Sequence, residues 1–587
     1  MALAAGERRF GLVVTLAAFG GLGACDHGIA APSGSIAPLP TQPTVLYTDI
    51  ASGPNAGGEN GNGAYLSIFG RNFGAAGLGS RVKVTIGGVE VANYRYLGPS
   101  KGRSDIQQIT VQVGALSGQA SGTPLPIQVS VAGQLSNSDQ TFTINPGRML
   151  FVDNVHGNDA TAVPGDITHP YRHVQLSDTT QAAFGAMQPG DFIVMRGTGT
   201  PWTDLGNDTY FVKFIHQDGT APTGAAGSGP LTLMGYPNED VFIDVNGPAT
   251  QKGAISGIDT TQGIAGGHWV TIADLRIESG GNAGVIATQI DGDHWRIVNN
   301  ELTAATATNT AKAAGINGNA TNAYWYGNHI HDIAGGSAQE NHGIYIDGDG
   351  SYDIAYNHIE KVSGGNGFQI FVNGGNGSDF GNHVHFHHNR VHGISKHGLN
   401  IADGAQNDIA LWDNVVYDVQ YSGLRFNTNT LHGARIYHNT FYNVDIAGVF
   451  AGYAGISNDW NFPADALDLR NNIVVPAPGQ PFTGGSVGID TGIGTISNNL
   501  WSGGTGDVSF DTSPVLAAPG FANTAAHDFH LIAGSAAIDA GTNAVSTLAT
   551  TDYDAVVYRP IGVGYDIGAF EYDAAYAYDR IFADGYQ

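Results

Sequence analysis

Ile297-Val-Asn-Asn300-Glu-Leu302, Trp325-Tyr-Gly-Asn328-His-Ile330 and Ile354-Ala-Tyr-Asn357-His-Ile359 repeat one phrase: apolar, x, x, Asn, x, apolar. It returns as Phe386-His-His-Asn389-Arg-Val391, Leu411-Trp-Asp-Asn414-Val-Val416, Ile436-Tyr-His-Asn439-Thr-Phe441 and Leu469-Arg-Asn-Asn472-Ile-Val474, with a weaker copy ending in Asn498-Asn-Leu500. The asparagines are spaced by 28, 29, 32, 25, 25, 33 and 26 residues. A period of this size belongs to a solenoid whose repeats stack to bury a shared core. The apolar runs are short, glycine-rich between and without helical periodicity, so the repeats are expected to be strands.

The composition agrees. Of 587 residues, 86 are glycine and only 13% are charged, as in a turn-rich all-β chain with room for several domains. A net charge of −27 argues against nucleic acid as a partner. Acidic side chains suit Ca²⁺ instead, the cofactor expected here. The single cysteine, Cys25, leaves no intrachain disulfide. Before it stand Arg8-Arg9, the apolar run Phe10 to Phe19, and Leu22-Gly-Ala. This grammar resembles a bacterial lipobox, which implies a signal peptide over 1–25 and lipidation of Cys25. An exported lipoprotein is expected, facing the periplasm or the cell surface, touching membrane through its lipid only and otherwise monomeric.

Residues 26–43 are rich in Pro, Ser and Gly and read as a tether. Over 44–147, alternating strands such as Tyr65-Leu-Ser-Ile-Phe69, Val82-Lys-Val-Thr-Ile86 and Ile109-Thr-Val-Gln-Val113 fit a two-sheet sandwich. Gly70-Arg-Asn-Phe-Gly74 and Val84-Thr-Ile-Gly-Gly88 resemble the immunoglobulin-like IPT/TIG module, which implies a spacer lifting the next domain off the membrane. From 148 to 520, Leu150-Phe-Val-Asp-Asn154 and Pro189-Gly-Asp-Phe-Ile-Val194 resemble the opening coils of right-handed parallel β-helix proteins of the pectate-lyase-like superfamily. Over 521–575, Leu531-Ile-Ala-Gly-Ser-Ala-Ala-Ile-Asp-Ala-Gly541 and Asp566-Ile-Gly-Ala-Phe-Glu571 resemble the choice-of-anchor Q segment, which implies a cap closing the helix. Residues 576–587 form a tail. The fold expected is an Ig-like β-sandwich followed by a right-handed parallel β-helix.

The repeated asparagines resemble the inward ladder of pectate-lyase-like helices, in which amides hydrogen-bond from coil to coil. The strand before each asparagine is then the second sheet and the strand after it the third. A second phrase, Gly-apolar-x-apolar, marks the first sheet at Gly315, Gly343, Gly367, Gly398, Gly423 and Gly448. Its outward column reads Asn317, Tyr345, Gln369, Asn400, Arg425 and Phe450, and a second column includes Asn319, Asp347, Phe371 and Asn427. His342, Asn366, His397 and Ser422 precede the glycines. Between Asn300 and Leu500 there are only seven Lys or Arg, and Lys396 and Arg425 fall on or beside this face in consecutive coils. Convergent polar groups of this kind mark a candidate site. The histidine run His383, His385, His387, His388 has three readings in order: aromatic stacking with Tyr326, Trp412 and Tyr437, a platform for sugar rings, and a Zn²⁺ site.

The chemistry suggested is polysaccharide cleavage. In β-elimination from a uronate polymer, a base removes the C5 proton while cations or donors neutralise the adjoining carboxylate. Lys396 is the first choice of base and His397 the second. Arg425 neutralises the carboxylate or assists the leaving oxygen, and Tyr345 or His342 supplies the acid. Gln369, Asn400, Asn427, Asn317 and Phe371 are candidate substrate contacts, with Asp347, Asp403 and Glu340 as Ca²⁺ ligands. A lysine followed one coil later by an arginine resembles the pair of alginate and chondroitin lyases of this fold. Their acidic calcium-ligand run is absent from Val391-His-Gly-Ile-Ser395. A glycoside hydrolase with paired carboxylates is the second reading, although the Asn-Thr-Asp phrase of polygalacturonases and the Asp-Pro-His-Asp phrase of mannuronan epimerases are both missing. A non-enzymatic glycan-binding or adhesion solenoid is the third.

Overall fold

The computed structural model describes residues 42–574 apart from 75, 78–81, 102, 177–181, 204–209, 215–222, 246–252, 258–266, 280–284, 288–291, 306–312, 319, 335–340, 348–349, 372–382, 403–404, 429, 449–451, 491 and 546. The first unit is a sandwich. One sheet pairs Thr44–Thr48, Tyr65–Arg71, Gln107–Gln112 and Asn93–Pro99, and the other is built on Thr141–Ile144, Pro124–Val131 and Val82–Ile86. Alternate side chains such as Ile68, Val84, Ile109, Val111, Ile127 and Val129 fill the space between the sheets, as a two-residue strand period requires.

From Met149–Val152 onward the chain forms a parallel β-helix. Its described strands make a second sheet of 12, and first and third sheets of 10 each, every strand pairing in parallel with its counterpart one coil on. The inward side chains of the three sheets form one continuous apolar core. The asparagine ladder is the polar exception inside it. In Asn300, Asn328, Asn357, Asn389, Asn414, Asn439 and Asn472 the side-chain amide donates to the amide oxygen of the next coil's asparagine, at 2.9–3.1 Å. The same oxygen accepts the preceding coil's backbone N–H, and each amide also donates to a strand carbonyl, so these buried groups are satisfied. The last rung is Asn499 rather than Asn498, and the ladder ends on Asp511 Oδ2, 3.0 Å away. Asn498 instead takes the left-handed turn conformation (φ 57°) that residues such as Tyr356, His388 and Asp413 adopt just before the ladder asparagine of their own coils.

The glycine phrase has a steric cause. A Cβ on Gly343, Gly367, Gly398 or Gly423 would lie 2.3–2.8 Å from Ile359, Val391, Val416 or Phe441, the third-sheet side chains that pack against the start of the first sheet. In the next coil this position belongs to Gly455, whose Cβ would meet Val474 at 2.6 Å. The first-sheet strand there is Ile456–Asn458, so Ser457 follows Arg425 in the outward column. The expected Gly448 phrase is displaced by seven residues, because this coil carries an insertion before its first-sheet strand; Phe450 lies outside the described residues.

Both flanking units lie along the turn that joins the second and third sheets. The sandwich packs directly against the helix. Tyr47 stacks on Tyr356 at 5.2 Å and meets Tyr326 edge-on at 5.7 Å. Lys101 Nζ donates to the Asp274 carbonyl at 2.9 Å, and Arg296 Nε donates to the Asp49 carbonyl at 2.7 Å. The C-terminal segment continues along the same flank. His388 contacts the Asp552 carbonyl, Arg559 pairs with Asp413 at 3.0 Å and also bonds His438, and Asn471 donates to the Thr542 carbonyl. The segment therefore runs back along the coils instead of closing the end, where Val508, Phe510 and Asp511 sit against Trp501. Its Arg559 is buried in these contacts with Asp413 and His438.

The two flanking units meet. Arg71 pairs with Asp105 at 3.0 Å and with Asp554 of the C-terminal segment at 2.9 Å, and Arg103 pairs with Asp105 at 2.6 Å beneath the Tyr553 ring. This covers the second-sheet aromatic column. His387 stacks on Trp412 at 4.2 Å, with Tyr437 next in register, and Trp412 and Tyr437 are buried under Val545, Ala549 and Tyr565. Stacking accounts for the column. It is no open sugar platform, and His385 lies in the neighbouring column with Asp353 and Arg435.

Candidate functional site

The outward column of the first sheet is in register from Asn317 through Tyr345, Gln369, Asn400 and Arg425 to Ser457. Asp347 pairs with Phe371, and Ala402 with Asn427, in the second column. Glu340 and Asp403, the Asp347 side chain and Cys25 lie outside the described residues.

The expected residues separate into two groups joined by an amide network. At one end Tyr345 stacks on His342 at 4.9 Å and faces Phe371 at 6.4 Å; His342, Tyr345 and Asn317 are buried. In the middle, Gln369 Oε1 accepts from Asn366 Nδ2 at 2.5 Å and from Asn400 Nδ2 at 2.9 Å. Tyr345 stands three strand steps from Arg425, about 14 Å at the spacing of hydrogen-bonded strands, so the two cannot act on one bond. The same separation removes the His342 end from direct partnership with Arg425.

The other end is more closely knit. Lys396 sits half-buried in the turn entering the first sheet; its N–H donates to the Gly365 carbonyl, and its own carbonyl accepts from Tyr421 N–H at 3.0 Å. Asp445 N–H donates in turn to the Tyr421 carbonyl at 2.7 Å, so Lys396, Tyr421 and Asp445 follow one another in successive coils. Burial pushes the Asp445 carboxyl up to about 6. Beside Lys396, His397 is 2% exposed and lies edge-on to Tyr453 at 4.8 Å and to Tyr421 at 5.4 Å. Burial, then the positive charges of Arg425 and Lys396, hold its imidazole well below the usual histidine range, in the neutral form. Arg425 donates through Nε to Asp459 Oδ2 at 2.8 Å and pairs through Nη2 at 2.6 Å, and its guanidinium lies 5.7 Å from the Tyr453 ring centre. Tyr421 and Tyr453 stack at 5.0 Å. Asn427 Oδ1 accepts from the exposed Trp460 Nε1 at 3.0 Å.

Two buried polar atoms here, His397 Nδ1 and Asn400 Oδ1, have no hydrogen-bond partner among the described residues. Buried polar atoms are ordinarily satisfied, and an unsatisfied one costs about 1–3 kcal/mol. The Arg425 guanidinium spends two of its five N–H groups on Asp459, which leaves donors for an anion. The end of the face thus combines a lysine, an oriented arginine, neutral imidazole, two stacked tyrosines and an indole. Sequence reasoning missed Tyr421, Tyr453, Asp459 and Trp460. Tyr421 stands next to Ser422, already singled out before the glycine, but Tyr453, Asp459 and Trp460 belong to the coil whose register the insertion shifts.

An IPT/TIG domain family model matches residues 51–144. The sandwich is an IPT/TIG domain. No curated protein matches the chain. Among solved structures, a family 28 exopolygalacturonase of Yersinia enterocolitica aligns over 78% of this chain and 92% of its own, at 12% identity and a TM-score of 0.29. That likeness is too slight to carry chemistry.

Proposed function

We propose that the chain is a polysaccharide-active β-helix protein, exported and lipid-anchored through Cys25, whose first-sheet face cleaves a uronate-containing polymer by β-elimination. The observation that carries the proposal is the convergence of Lys396, His397, Arg425, Tyr421 and Tyr453 on one end of that face, with Arg425 oriented by Asp459. In this reading Arg425 binds the uronate carboxylate with its remaining N–H groups and so acidifies C5–H. Lys396 takes the proton, and Tyr421 protonates the leaving oxygen. Sugar hydroxyls satisfy His397 Nδ1 and Asn400 Oδ1, and the Tyr453 and Trp460 rings flank the sugar faces. Gln369 and Asn427 lie further along the same face. Ca²⁺ enters the proposal through Asp347, Asp403 and Glu340, where it would offset the negative charge shared by protein and substrate.

The lyase reading is favoured over hydrolysis because, of the two carboxylates described beside this cluster, Asp459 is engaged by Arg425 and by Ser486 N–H at 3.0 Å, which leaves Asp445 without the second free carboxylate a hydrolase uses. The test is incubation of the mature chain with a panel of polyuronates, with Ca²⁺ or with EDTA, while the near-ultraviolet absorbance of unsaturated uronates is followed. A rise in absorbance supports the proposal. Release of reducing ends without absorbance would assign a hydrolase, and binding with neither would assign a glycan-binding solenoid.

A further inference from the structure

The third sheet carries a histidine cluster remote from this face. Its outward side chains are aligned by the parallel register: His329 pairs with His358 and then Arg390, and His331 with Glu360, His392 and then Tyr417. Three consecutive coils therefore bring His329, His358, Glu360 and His392 side by side. His329 Nε2 lies 2.9 Å from Glu360 Oε1, His392 Nε2 lies 3.7 Å from Glu360 Oε2, and His358 Nε2 lies 2.8 Å from His392 Nε2. One nitrogen each from His329 and His358 and one oxygen of Glu360 fall within 4.8 Å of one another. The side chains of His329, Glu360 and His392 are only 14–19% exposed.

We propose that His329, His358, His392 and Glu360 bind a single divalent transition-metal ion, with Zn²⁺ the expected occupant. Two Nε2 atoms 2.8 Å apart require one ring to donate and the other to accept, so at least one lone pair already points into the cluster. An ion in place of the shared proton would engage both lone pairs, and the nitrogens need separate only to about 3.3 Å, the distance set by two Zn–N bonds at a tetrahedral angle. Three imidazoles and one carboxylate complete a four-coordinate shell of the kind Zn²⁺ prefers, whereas Ca²⁺ and Mg²⁺ demand oxygen. The surroundings define the limits of the site. His331 is engaged on both nitrogens, by Asp332 at 2.8 Å and Glu301 at 3.3 Å, and is not a ligand. Arg390 is turned to the Tyr417 hydroxyl, at 2.6 Å from Nη2. Lys361 Nζ, 3.6 Å from Glu360 Oε2, is on a side chain 59% exposed and free to swing into solvent. The ion would clip three coils together, including strand Arg390–Ile394, which leads directly into Lys396.

The experiment is calorimetric titration of Zn²⁺ into the metal-stripped, untagged mature chain, together with the visible spectrum after Co²⁺ substitution. One ion per chain is expected, with the intense absorption of four-coordinate cobalt bearing nitrogen ligands. His358→Ala and Glu360→Gln should each weaken binding about 100-fold, while His383→Ala, on the second sheet, leaves it unchanged. The unmodified chain is decisive by itself, whatever the variants do to folding: no stoichiometric uptake, or a six-coordinate cobalt spectrum, overturns the proposal. Uptake equal in wild type and folded His358→Ala overturns it as well.

Discussion

Asp459 grips Arg425 from the next coil, its Oδ2 2.6 Å from Nη2 and 2.8 Å from Nε, both side chains mostly buried. The pair sets the plane of the guanidinium and engages two of its five N–H groups. Asp459→Asn keeps the shape and removes the charge. It is expected to lower kcat/KM on the polymer about 10- to 100-fold with little effect on folding, since what is lost is orientation of a reacting group. Steady-state kinetics beside a thermal melt checks this. Arg425→Lys should do no better, because an ammonium cannot reproduce the two-pronged contact.

The asparagine ladder should be energetically prominent although it is chemically silent. Asn389→Ala removes the side-chain donation to Asn414 Oδ1 and strands two donors of Asn357 and the Ile354 carbonyl inside the core. A loss of about 3 kcal/mol or more is expected by urea unfolding. Gln188→Ala, at an exposed side chain, should stay within about 0.5 kcal/mol.

The IPT/TIG domain should unfold with the helix. Arg103 donates to the carbonyls of Tyr356 and His388, all three residues being buried, while pairing with Asp105. Arg103→Ala leaves part of that buried charge uncompensated and should cost about 3–5 kcal/mol. Calorimetry should show one cooperative transition in the wild type and two in the variant.

Stability should fall as pH rises across the C-terminal flank. Burial alone lowers the His530 pKa, but Asp554 and Asp528 outweigh it and hold the imidazolium up to about 9, above the ordinary 6.5. A group raised in the folded state contributes its full stabilisation below its unfolded value and loses it as pH climbs through the folded one. The unfolding free energy should therefore decline between pH 6.5 and about 9, by up to about 3 kcal/mol. Burial likewise raises Glu571 to about 7, with the same sign at lower pH. Urea titrations at several pH values measure the slope, and His530→Gln should flatten its upper part.

The repeat made the solenoid legible because a ladder asparagine, an apolar flank and a crowded glycine recur with fixed spacing, and parallel register turns that spacing into columns. Hence the placing of Tyr345, Gln369, Asn400 and Arg425 in one column. Periodicity says nothing where it breaks. The insertion before Ile456–Asn458 hid Asp459 and Tyr453, and with them the orientation of Arg425. Nor does it reveal which flank is covered: the docking of Tyr47 on Tyr356 and of Arg559 on Asp413 joins residues 309 and 146 positions apart. The histidines of the third sheet were individually unremarkable in the sequence, because His329, His358 and His392 meet only through register.

The most direct test is the mass of the oligosaccharides released from a uronate polymer by the mature chain. Elimination predicts new non-reducing ends lighter by one water than hydrolysis would leave, formed by the wild type and reduced about 10²- to 10⁴-fold by Lys396→Ala, the loss typical of a missing general base. Fully hydrated ends, or unsaturated products formed equally well by folded Lys396→Ala, would contradict the assignment.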